Sequence, residues 1–188
     1  MKKLVSFALV AVVAFPLFAQ ETDDKGEATV QPREEVKRES NVWPAFFAVS
    51  EFPASPDVIG LRLTIPFSTV QENITGVDVG LWGRALYFEG FQLNLLRNDV
   101  KDELAGFQVG LYNSVGGGQL LGLQAGLFNE ANSMCGAQVG LVNFGGEVQG
   151  LQVGLINRCE TMVGYQIGLI NVIRDNELRF FPILNIGW

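Results

Sequence analysis

Histidine is absent from this chain. Its absence excludes imidazole acid–base work, histidine-dependent nucleophilic triads and histidine metal sites. Cysteine is almost absent as well, with Cys135 and Cys159 the only two. No apolar run reaches the roughly 20 residues that a spanning helix needs. Basic residues are outnumbered, 13 against 20 acidic, for a net charge of -7. That balance argues against nucleic acid as a partner, because nucleic-acid recognition needs a basic patch. The triglycine Gly116-Gly117-Gly118 is not followed by Lys-Ser/Thr, so it reads as a turn rather than a phosphate-binding loop. Most acidic side chains of the repeat region (Asp99, Asp102, Glu103, Glu130, Asp175, Glu177) fall in expected turns, where a solvated carboxylate is the simplest reading. Catalytic, metal and cofactor sites are therefore expected to be missing, and the chain is not expected to be an enzyme.

The chain opens with two lysines, then a 15-residue apolar stretch over 4–18, then the small residue Ala19. That order is the signature of a secretory signal peptide over 1–19. Residues 20–41 are rich in charge, with Val30 and Val36 as the only large aliphatic side chains. Such a segment cannot bury a core and is expected to form a disordered leader. Residues 42–188 form the β-domain.

What the sequence does contain is an eight-residue unit, Gly-apolar-Gln-apolar-Gly-apolar-apolar-Asn. Clear copies are GFQVGLYN (106–113), GLQAGLFN (122–129), GAQVGLVN (136–143), GLQVGLIN (150–157) and GYQIGLIN (164–171). Weaker relatives begin at Gly60, Gly76 and Gly90. Apolar and polar residues alternate within each copy, as in a strand with one apolar face. The Gln-equivalent positions form a polar row expected to face an interior: Arg62, Asp78, Gln92, Gln108, Gln124, Gln138, Gln152 and Gln166.

These positions recur every 14 or 16 residues, which two topologies accommodate. A β-solenoid of 14–16-residue coils stacks like on like. However, a straight ten-residue strand covers about 33 Å, and the short connections RCETM, EANSM and FGGEV offer little apolar surface for a return path. Hairpins fit that geometry better. Centred on Gly145, a hairpin sets Gly136 opposite Gly154, Gln138 opposite Gln152 and Gly140 opposite Gly150. Further turn centres fall at Val70, Ala85, Val100, Gly116, Ala131 and Cys159, and Arg62 lands beside Asp78. The expected fold is all-β: an antiparallel meander of nine or ten short-looped strands closed into a small transmembrane barrel, with the solenoid as the alternative. Leu123, Leu127, Val139, Leu141, Leu151, Val153, Leu155, Tyr165, Ile167 and Leu169 would then face lipid. The same register brings Cys135 and Cys159 to one end of adjacent strands, as a possible disulfide or as two free thiols.

The final segment, with Leu184, Ile186 and Trp188 on one face, resembles the terminal assembly signal of bacterial outer-membrane barrels. The repeat itself, over residues 106–188, resembles bacterial surface-repeat proteins, whose tandem GLQIGLIN-like units often finish on Phe-Pro-Ile-x-Asn. Residues Phe181-Pro182-Ile183-Leu184-Asn185 match that ending. The resemblance implies an outer-membrane or cell-surface protein of a Gram-negative-type bacterium without a known activity, and it transfers no functional residue. Expected partners are membrane lipid and, through the Trp188 strand, the barrel assembly machinery. Two functions remain open: a structural or narrow-pore membrane barrel, or a surface binding or adhesion module in barrel or solenoid form.

Overall fold

The computed structural model describes residues 45–49, 52, 57–66, 68 and 71–188. The expected signal peptide (1–19), the charged leader (20–41) and the turn centre at Val70 lie outside these residues. The described residues are all-β and wind into a solenoid of about seven turns rather than a barrel. Seven strands form one sheet in chain order: β1 (Ala45–Val49), β2 (Asp57–Thr64), β3 (Gln71–Val100), β4 (Leu104–Val109), β5 (Tyr112–Val153), β6 (Ile156–Ile173) and β7 (Phe180–Gly187). The long strands are not straight; β5 alone passes through several coils.

Pairing is parallel from β1 through β6, like on like: Gly60 on Gly76, Gln92 on Gln108, Gly150 on Gly164. The antiparallel meander is therefore corrected to a parallel solenoid, and Gly140 lies against Gly154 rather than Gly150. Only β7 reverses among the named strands, lying antiparallel on β6 and covering the end of the stack.

Glycine resolves the problem of the return path. Gly150 adopts φ 136° and leads one bend of the coil. A Cβ there would stand 2.0 Å from the Gly136 carbonyl oxygen, a contact that no L side chain tolerates. The second bend falls at Gly154 and Leu155, where the chain leaves extended geometry between β5 and β6. With such bends in each coil, ten residues no longer extend in one direction, and a 14-residue coil closes on itself. The short connections also carry inward apolar side chains. Ala131 and Met134 of EANSM, Val148 of FGGEV, and Cys159 and Met162 of RCETM are all buried. The expected hairpin centres Ala85, Val100, Ala131 and Cys159 consequently sit inside the fold, not in turns.

Two interior columns are apolar. One contains Ala85, Val100, Val115, Ala131 and Cys159; the other contains Ile74, Phe88, Leu104, Leu120, Met134, Val148 and Met162. The rest of the interior is polar, mostly amide, with Arg62, Thr64 and Asp78 in the first coils. Hydrophobic burial in one half of the cross-section and side-chain hydrogen bonding in the other hold successive coils together.

Candidate functional site

All eight residues of the polar row are fully buried. Each glutamine donates from Nε2 to the Oε1 of the glutamine one coil earlier, at 2.8–2.9 Å, in an unbroken run from Gln166 down to Gln92. Gln92 donates in turn to Asp78 at 2.9 Å. Arg62 closes the row with a two-pronged ion pair to Asp78, at 3.0 and 2.7 Å. Ladders of this kind form where identical strands stack in register, because each amide has a donor and an acceptor one strand spacing away.

A second row runs beside the first. Asn98, Asn113, Asn129, Asn143, Asn157 and Asn171 are buried and linked at 2.7–2.8 Å. These asparagines donate forward along the chain while the glutamines donate backward. The second glycine of the unit makes room for them: a Cβ on Gly154 would stand 2.6 Å from Asn143 Nδ2. Strict alternation grouped Asn with the outward Leu and Val, and so missed this row. The bend at Gly154-Leu155 resets the parity, leaving Leu155 and Ile156 both exposed before Asn157 turns inward. The available signal was the invariable Asn at the eighth place of the clear copies.

Both rows are buried at 0–1% exposure, with successive members hydrogen-bonded to one another through the interior of the coils. The polar interior is structural. Cys135 and Cys159 are free thiols, Cys135 exposed and Cys159 buried. Burial, reinforced by nearby Glu160, pushes the Cys159 thiol from the ordinary 9.0 up to about 12. Its sulfur accepts a hydrogen bond from Gln166 at 3.3 Å, so it serves as part of the ladder wall. Among the described residues, no cluster of three side chains is arranged to hold a metal ion.

The outer surface carries the chemistry of recognition. Val139, Leu141, Leu155, Ile167 and Leu169 are exposed, and Leu151 and Val153 are half-buried. All of these but Leu151 flank the second-glycine column (Gly126, Gly140, Gly154, Gly168) and form a shallow apolar groove of about 650 Å³, with Ile183 of β7 among its lining residues. Glu160 and Arg174, ion-paired at 2.8 Å, are exposed and lie outside the groove lining.

Comparison with protein-family models, with curated proteins and with solved structures finds no match.

Proposed function

We propose that this chain is an exported cell-envelope protein whose solenoid is a non-catalytic binding module, docking through its apolar outer columns onto an apolar partner at the cell surface. One observation carries the reading: within the repeat unit the amides are turned inward while Val139, Leu141, Leu155, Ile167 and Leu169 face outward, the reverse of an ordinary soluble strand face. Contiguous apolar surface of this extent on a folded domain marks an interaction face. A regular repeat presents that face as a flat, extended strip, which suits a broad partner rather than a small molecule in a pocket. The apolar start of the chain supports export, and the GLQVGLIN resemblance supports a surface location.

Leu155→Asp combined with Leu169→Asp places two charges on the strip without touching the interior. The expected result is a folded protein that is released from the envelope fraction by salt or mild detergent, where the unaltered protein is retained. Equal retention of both would overturn docking through this face.

A further inference from the structure

The apolar strip is interrupted by one cationic and aromatic cluster. Arg84 and Arg97 stand over the ring of Trp82, their guanidinium carbons 4.4 and 5.7 Å from its centroid. Arg97 also lies 4.7 Å over Tyr112, its register partner on the next coil. In later coils the same position carries no charge: it is Phe128, then Val142 and Ile156, the last two pairing across β5 and β6. The neighbouring residues Leu95, Leu96 and Leu111 are exposed, so the cluster forms part of the apolar surface rather than a separate site.

Its hydrogen bonding is incomplete. Trp82 Nε1, Arg84 Nε and Arg97 Nε are buried and have no partner within the protein. Buried N–H groups without acceptors are costly, and a ligand that supplies oxygen atoms would relieve that cost. Asp99 satisfies the cluster only in part, holding Lys101 Nζ at 2.8 Å and reaching Arg97 at 3.8 Å. The Arg97 side chain is 38% exposed and therefore free to re-aim toward an incoming anion.

The geometry points to a phospholipid-headgroup site: we infer that Trp82, Arg84 and Arg97 bind the phosphate of an anionic lipid while the adjoining leucines rest on the acyl layer. This deepens the docking reading and rests on it, by naming the partner as a lipid surface. Charge complementarity carries the choice. A bare apolar strip would suit a second copy of the chain as well as lipid. Paired guanidiniums facing a copy of themselves would repel, whereas guanidinium forks match phosphate oxygens. Trp and Tyr are also the side chains that settle at the headgroup boundary, with the ring toward the acyl chains and the polar edge toward water.

The full chain is tested by sedimentation with vesicles of phosphatidylcholine alone and with phosphatidylglycerol added. Added anionic lipid should tighten binding, and salt should weaken it. Replacing Arg84 and Arg97 together by Gln should lower affinity for the anionic vesicles by roughly ten- to thirtyfold, from about a factor of five for each basic side chain near such a surface. Binding to phosphatidylcholine, whose phosphate is balanced by the choline cation, should fall far less, and the conservative Lys pair should recover much of the loss. A Gln pair that binds anionic vesicles as tightly as the unaltered chain overturns the headgroup site while leaving the apolar docking intact. Vesicle binding that ignores Leu155→Asp with Leu169→Asp overturns both. Self-association that excludes vesicles, or capture by an acidic polysaccharide in preference to them, overturns the lipid assignment.

Discussion

The Asp78 carboxylate accepts the side-chain amide of Gln92 at 2.9 Å, and this single contact sets the direction of every glutamine above it. A carboxylate only accepts, so Gln92 must turn Nε2 toward it and Oε1 toward Gln108. The same constraint passes from coil to coil up to Gln166. Asn94 also donates to Asp78, at 2.9 Å, which anchors the start of the asparagine row at the same atom.

Exchanging Arg62 and Asp78 tests that polarity. A simple ion pair would be restored by the exchange. Here an arginine at position 78 would confront the donor ends of Gln92 and Asn94, and the guanidinium would lose its bonds to Gln71 and the Arg84 carbonyl. The expected outcome is that the double exchange is no more stable than Asp78→Asn alone, as measured by urea unfolding. Recovery of most of the lost stability would show that only the charges matter.

Inside and outside should respond oppositely to the same substitution. Gln152→Arg buries an unpaired charge in the ladder and is expected to cost about 3 kcal/mol or more. Val153→Arg projects outward and should cost under about 1 kcal/mol. A transmembrane barrel predicts the reverse order, so circular dichroism melts of the two variants separate the two folds.

The ladder can also be cut. Gln138→Ala leaves the Gln124 acceptor and the Gln152 donor unpaired, and at about 1–3 kcal/mol for each buried orphan the loss should be roughly 2–6 kcal/mol. Val139→Ala, beside it on the outer face, is the control and should cost under about 1 kcal/mol. Equal losses would mean that the amides contribute nothing beyond their volume.

Glycine at the bend is open to direct test. Gly150→Ala combines a backbone at φ 136° with a carbonyl 2.0 Å from the new methyl group. It should destabilise by about 3 kcal/mol or more. Gly117→Ala, where the nearest atom is 3.1 Å away and φ is ordinary, should be far milder. Comparable thermal melts for the two would remove the bend argument.

The two thiols should differ in chemistry. Cys135 is exposed and should react with maleimide in the folded protein near pH 8, whereas Cys159 should react only after unfolding. The raised Cys159 pKa favours the folded state fully below the ordinary thiol pKa of 9.0, and that contribution is lost as the pH climbs to about 12. Stability should therefore fall across that alkaline window, and Cys159→Ser should flatten the fall. Identical alkaline curves for the two proteins would exclude Cys159 as the cause.

By itself the sequence determined the repeat, its period, and which residues face apart: Gln inward, with Leu, Val and Ile outward. Those properties follow from side-chain alternation, which is local and survives in either topology. Alternation also places Gln138 next to Gln152 whether strands pair parallel or antiparallel, so the clearest feature of the sequence did not discriminate between the two. The Arg62–Asp78 contact was equally shared. Only the tertiary structure decided the direction of pairing. The deciding quantities are the positive φ at Gly150 and the bend at Gly154-Leu155, which shorten the span of each unit until a 14-residue coil can close. That closure turns Asn157 inward against the alternation and draws Cys159 and Met162 into the core from a connection that looks polar when read along the chain. A glycine in sequence permits a bend without requiring one; the stacked carbonyl of the preceding coil, 2.0 Å from where a side chain would begin, makes it obligatory.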